Sequence, residues 1–203
     1  MLELVMSGGQ TGADQAGLRI AQQFGIPTGG WMPSDWQTEA GSRPEFQQLY
    51  GMKCLHTGGY KERTEANVRL SDGTIRFAAN FNSMGEKCTL NAILDNNKPY
   101  MDIDINNPVS TASDVAAWIR KNNIKKLNIA GNTQPTNRNA RAFKITEFTE
   151  QFLTELFTEL GFKKTIWAND LISVFTFINS VPPCFYCKAS AWIQSRSFPH
   201  CES

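Results

Sequence analysis

The first loop of the chain is Ser7-Gly8-Gly9-Gln10-Thr11-Gly12-Ala13-Asp14, glycines and polar side chains set between an apolar run and a helical periodicity. Glycines let backbone approach a phosphate closely, and the first N–H groups of a helix lack internal partners. A strand, a glycine-rich turn and a helix N-terminus together make an anion cradle. Without a ligand the same text is a tight strand-to-helix turn. Ser7, Gln10 and Thr11 would add side-chain donors, and Asp14 would cap its helix or face a cation or a ligand hydroxyl. Arg63-Thr64-Glu65-Ala66-Asn67 places a guanidinium and an amide four residues apart on one helix face, able to grip an anion or a base edge. A solvated face with ordinary charge pairing is the plainer reading of that pair. Ser71-Asp72-Gly73-Thr74 reads by itself as a turn. The segment from Phe81 through Gly85-Glu86-Lys87-Cys88-Thr89 repeats the strand-turn-helix order, with Lys87 adding charge to a second phosphate-facing turn. Asn128, inside the strand that ends at Gly131, is an amide that needs a partner, from a neighbouring loop or from a ligand.

These segments need a frame that brings them together. Residues 2–6 form an apolar strand, and Ala13, Ala16, Ile20 and Phe24 recur at helical spacing. Residues 26–31 are strand-like, 32–50 irregular, and 52–56 a short strand. A helix over 60–70, a buried strand over 74–79, a helix over 87–97 and a strand over 99–105 follow. Thr111 and Asp114 have capping-box spacing ahead of a helical stripe. A strand over 127–130 then leads to a helix over 140–160, ended by Gly161. Strands alternating with helices predict a parallel sheet covered on both faces, an α/β Rossmann-like three-layer sandwich. Ligands in such sheets bind at the carboxyl ends of the strands, and all four polar segments are assigned there. Residues 1–164 read as the ligand-binding domain. Residues 165–203 are an extension, either an added strand or hairpin or a disordered tail.

Composition narrows the class. With 20 basic and 19 acidic residues in 203 and 41% hydrophobic content, the chain is globular. It carries no basic stripe of the kind nucleic-acid binders use. No apolar stretch reaches the length of a membrane helix, and the first residues are a strand rather than a signal peptide. Five cysteines, an odd number, suit a reduced, cytoplasmic protein. Cys184 and Cys187 have the spacing of half a zinc site, with His200 and Cys201 as weak candidates for the rest. No second Cys-x-x-Cys completes it, so no metal is expected.

The stretches SGGQTGAD (7–14), GGW with Pro33 beyond it, RTEANV (63–68), SDGT (71–74), the turn from Gly85 to Thr89, KPYMDIDI (98–105) and LNIAG (127–131) resemble the molybdenum carrier family, the circularly permuted YpsA-type branch of the SLOG superfamily. The resemblance spans about residues 3–160. It implies a nucleotide-like or pterin-phosphate ligand, molybdenum cofactor or a nucleotide, in the strand-end pocket. By position it implies Gly8, Gly9, Gln10, Thr11 and Gly12 at the phosphate. Trp31 and Glu39 would come from the long loop, and Arg63, Thr64 and Asn67 from the helix. Asp72, Thr74, Gly85 and Thr89 would form the opposite wall, with Asn128 and Gly131 at the far edge. The chain departs from the family pattern after Trp31, at Gly85–Thr89 and after Gly131.

Two functions compete. Donor-rich strand exits without a nucleophile–base pair favour a binding protein for a phosphorylated small molecule. The alternative is an enzyme that hydrolyses or transfers a nucleotide-linked group, with Glu39, Asp72 or Glu86 as acid or base. Neither histidine lies in the four segments. The oligomeric state is left open, a homo-oligomer included.

Overall fold

A strand buried on both faces of a parallel sheet tends to be apolar throughout, and the inner strands of this protein nearly satisfy that demand. The computed structural model describes residues 1–134 and 144–165. In chain order the elements are β1 (Leu4–Ser7), α1 (Ala13–Gln23), β2 (Thr28–Gly29), β3 (Trp31–Met32), β4 (Gln37–Thr38), β5 (Gly41–Ser42), α2 (Phe46–Tyr50), β6 (Lys53–Cys54), α3 (Tyr60–Leu70), β7 (Gly73–Ala78), α4 (Met84–Asp95), β8 (Tyr100–Asp104), α5 (Ala112–Lys121), β9 (Lys126–Gly131) and α6 (Ile145–Glu159). The central sheet has the order β2-β1-β9-β7-β8 and is parallel throughout. Two small ribbons stand apart from it: β3 pairs parallel with β6, and β4 with β5 antiparallel.

The two faces of the sheet are chemically different. Alternation sends Val5, Ile75, Phe77, Leu127 and Ile129 to one side, where they pack with α1, α5 and α6 in the main core. Gly17 lets α1 settle on the sheet, since a methyl group there would strike the Ile129 side chain. On the other side, beneath α3 and α4, the sheet buries Thr74, Arg76 and Asn128. This is the expected Rossmann-like α/β sandwich, apolar on one face and, on the other, burying polar strand side chains beneath the small Val68, Ala92 and Ile93 cluster of α3 and α4.

Several boundaries differ from the sequence reading. The helix expected over 87–97 begins at Met84, because the Ser83 hydroxyl caps it by accepting the Glu86 N–H at 3.3 Å. Gly85 to Thr89 is therefore the start of α4, not a turn. The strand expected over 26–31 is split into β2 and β3 at Gly30, whose φ is +129° and whose Cα lies against the Ser7 backbone. The stretch 32–50 holds the β4–β5 hairpin and α2. The Thr111/Asp114 capping box forms as read, with the Asp114 N–H donating to Thr111 Oγ1 at 3.2 Å and the Thr111 N–H to Asp114 Oδ2 at 2.9 Å. Residues 140–143 of the expected last helix lie outside the described residues, as does nearly all of the extension with Cys184, Cys187, His200 and Cys201.

Candidate functional site

Pairing of Ser7 with Ile129 and of Phe77 with Gly131 sets the carboxyl ends of β1, β9 and β7 side by side. The chain segments leaving those ends converge with the first turns of α3 and α4 on a cavity of about 430 Å³. Gln10 and Asp14 line it from the entry to α1, Glu39 from the turn of the β4–β5 hairpin, and Arg63 and Thr64 from α3. Gly85, Glu86 and Thr89 line it from α4, and Gly131 from β9. A neighbouring cavity of about 390 Å³ shares Glu39, Gly85, Glu86 and Gly131 and extends toward Asn80 and Asn132.

The opening loop is organised from within. Gln10 Oε1 accepts the Thr11 N–H at 2.9 Å and the Glu39 N–H at 2.8 Å, so one amide side chain ties the hairpin to the loop. The Gln10 N–H donates to Asp14 Oδ2 at 3.2 Å, the Gly9 N–H to Ser7 Oγ at 3.4 Å, and the Ala13 N–H to the Asn132 carbonyl at 3.3 Å. Four of the backbone donors that a glycine-rich cradle would offer an anion, those of Gly9, Gln10, Thr11 and Ala13, thus already have protein acceptors. Asp14, in the first turn of α1, closes this loop. It is 3% exposed and also accepts from Arg63 Nη1 at 3.0 Å. Burial raises its carboxyl above the ordinary range, with the Arg63 charge and the Gln10 N–H pulling the other way. Arg63 Nε is buried without a hydrogen-bond partner.

Glu86 forms the other wall. Its spacing from Ser83 is that of a capping box, yet its side chain turns into the cavity instead of back to the cap. Glu86 Oε1 accepts from Asn132 Nδ2 at 3.2 Å. Oε2 has no hydrogen bond and stands 3.5 Å from Arg76 Nη1. Arg76 is 2% exposed, donates to both Asp102 oxygens from Nε at 2.8 Å and Nη2 at 2.6 Å, and packs between the Phe81 and Tyr100 rings. Burial pushes the Glu86 carboxyl up to about 7, with Arg76 opposing the rise and Asp14 adding to it. Asn132 fixes the geometry behind it: Oδ1 accepts the Ala79 and Asn80 N–H groups at 2.9 and 3.0 Å.

Other expected residues stand elsewhere. Gly8, Gly9 and Gly12 shape the loop and leave room for neighbours: a methyl group on Gly8 would fall on the Arg63 guanidinium, and one on Gly12 on the backbone of residues 132–134. The Thr11 hydroxyl is buried without a partner, away from the cavity lining. Asn67 is 2% exposed and spends its amide on Trp31, accepting its N–H at 2.9 Å and donating to its carbonyl at 3.0 Å. Lys87 is exposed on α4. Asp72, assigned to a strand exit, precedes β7 and so lies at the amino end of the sheet, where Oδ2 accepts the Lys125 and Lys126 N–H groups at 3.0 and 2.7 Å. The strand between them separates it from the Ala78 end by roughly 20 Å. Thr74 opens the same strand and accepts from Asn128 Nδ2 at 3.3 Å, beneath α3 and short of the cavity.

Sequence reasoning missed Tyr60, Lys61, Met84 and Cys88 in the lining, and Arg76, Asp102 and Asn132 behind it. A lone arginine in an otherwise apolar strand was the available signal for Arg76. Among the described residues no group of three or more His, Cys, Asp or Glu could hold a metal ion. No described helix is long and apolar enough to cross a membrane.

The family model of the circularly permutated YpsA SLOG family matches residues 5–157. Among solved structures, that of a "Putative molybdenum carrier protein" from Syntrophus aciditrophicus SB is 32% identical over 76% of this chain and 94% of that chain, with a TM-score of 0.66. A second, (E)-4-hydroxy-3-methyl-but-2-enyl diphosphate reductase, is 13% identical over 79% of this chain and 59% of that one at a TM-score of 0.30, too slight a likeness to carry an argument. No curated protein matches the sequence.

Proposed function

The chain belongs to the circularly permutated YpsA SLOG family, and on that premise we propose that its strand-end cavity holds a phosphorylated small molecule, nucleotide-like or pterin, as cargo. The observation that carries this reading is the buried Arg63 Nε, a donor without a protein partner on a residue that lines the cavity. An orphaned buried donor is costly, and an anionic oxygen would relieve it. The N-termini of α3 and α4 meet at the same place and favour negative charge. Tyr60 and Met84, 48% and 88% exposed at the mouth, offer apolar surface to a planar ring. A volume of about 430 Å³ lies in the usual range for ligands of that size. The name of the Syntrophus relative favours molybdenum cofactor as the pterin.

Thermal unfolding of the full chain with molybdopterin and with a panel of nucleotides tests the proposal. A ligand present at 100 times its dissociation constant adds about 2.7 kcal/mol. Absence of stabilisation by every member of the panel, in protein shown to be folded, overturns it.

A second reading has one specific observation behind it. Glu86, held near neutrality, suits general acid–base work, with Glu39 across the cavity as its companion. Turnover of a bound nucleotide that disappears in Glu86→Gln would establish an enzyme. Binding with no turnover would leave the carrier reading alone.

A further inference from the structure

The charges around the cavity oppose an anionic ligand. Three carboxyls, Asp14, Glu39 and Glu86, line it against two cations, Lys61 and Arg63. Arg63 is already paired with Asp14 at 3.0 Å, and Lys61 lies 3.7 Å from Glu65. With every carboxyl ionised, an entering phosphate meets an excess of negative charge, and partial burial strengthens that repulsion. Neutralising one carboxyl removes the conflict.

The three carboxyls are not equivalent. Glu39 is exposed to water. Asp14 is committed to the Gln10 N–H and to Arg63. Glu86 is 3% exposed, has Oε1 engaged by Asn132, and leaves Oε2 buried in the cavity wall without a hydrogen bond. The 3.5 Å approach of Arg76 Nη1 is an ion pair, and both Asp102 oxygens already answer that guanidinium. We propose that Glu86 takes a proton from solvent as an anionic ligand binds, and that the neutral carboxyl donates from Oε2 to the anionic group. The inference rests on the reading of the cavity as a site for a phosphorylated ligand. On release the proton returns to solvent, so affinity falls as pH rises.

The groups facing Glu86 support this assignment. Asp14 of α1 and Asp102 of β8 disfavour its charged form, and Arg76 of β7 and the Asn132 amide after β9 favour it. Arg63 and Lys61 of α3 share the cavity with it, as does Glu39 of the hairpin. The balance already leaves this carboxyl at about 7, so a nearby anion moves it into the range where it takes up a proton on binding. Cys88, the thiol in the lining, is pushed up from its ordinary value by burial and stays outside that range.

Sulfate is the probe, because it keeps two negative charges throughout the neutral range. The readouts are the Gly85 amide and the Arg63 Nε–H resonances of the full chain. In the wild type the sulfate dissociation constant should rise several-fold from pH 7 to 8 and approach tenfold per pH unit above 8, where binding takes up nearly one full proton. In Glu86→Gln it should stay flat and be the tighter of the two at pH 8.5. The Glu86 carboxyl carbon of the wild type should titrate at higher pH with sulfate than without, a measurement that needs no variant. Equal pH slopes in the two proteins, or an unmoved carboxyl titration, overturn the inference and leave the phosphorylated-ligand reading intact. Neutral adenosine or guanosine shifting the same resonances while sulfate does not, or no response to either, overturns both.

Discussion

At Gly8 the absence of a side chain is what lets Arg63 reach Asp14, because a methyl group there would fall on the guanidinium. The obstacle is the far end of a flexible side chain, so Gly8→Ala should fold and displace Arg63. We expect sulfate binding to weaken by about tenfold, the order expected for one charge-assisted contact, and the melting temperature to fall because the buried Asp14 carboxyl loses its Arg63 partner, while soluble folded protein is still obtained. Gly131→Ala is the contrast. Its φ is +157°, and the new methyl group would meet the Phe77 carbonyl and Ala13, both parts of rigid elements. That variant should lose soluble folded protein. If the two variants behave alike in melting and titration, the distinction between a movable and an immovable neighbour is wrong. The residue scale is also where the sequence misled most. Asp72 and Glu86 look equally able to do chemistry, yet one stitches the start of β7 to β9 and the other lines the cavity.

Elements position the site through a few cross-links. Asn67 fastens α3 to β3 by closing on both backbone groups of Trp31, and Gln10 fastens the β4–β5 hairpin to the opening loop. Removing the first link strands a half-buried N–H and C=O, which costs on the order of 2 kcal/mol. Asn67→Ala should therefore lower stability by about that much in urea, with the Trp31 amide losing hydrogen-exchange protection before the core strands do. A stability equal to wild type would mean that the clasp contributes nothing. The elements themselves were largely legible, since α1, α3, α5 and β7 follow from periodicity and capping residues. The start of α4 was not. Ser83 marked it, but the Gly85 that follows read as a continued turn, and only the observed Ser83 Oγ to Glu86 N–H bond decides between them.

For the molecule as a whole, buried carboxyls link stability to pH, Glu86 foremost. Glu86 sits near 7 in the folded state against 4.5 for the ordinary side chain, so between those values the folded protein holds the proton that the unfolded chain has released. More protons bound in the native state means that stability falls as pH rises across that window and levels off above it. At about 1.4 kcal/mol for each pKa unit, the loss is on the order of 3 kcal/mol, and Asp14, also raised, adds in the same direction from lower pH. Urea unfolding at pH 5 and pH 7.5 should show this loss in the wild type and a much smaller one in Glu86→Gln. Identical profiles would remove Glu86 from the account. Local pattern along the chain was enough to establish the alternation of strands and helices, the parallel sheet and the glycine-rich opening loop, because propensity, capping and periodicity act between near neighbours. Which polar residues share the cavity depends on strand order and on which end of a strand each one occupies. Those are long-range properties: Glu86 meets Asn132 and Arg63 meets Asp14 only after β1, β9 and β7 have paired, and the desolvation that raises Glu86 exists only in that packed state.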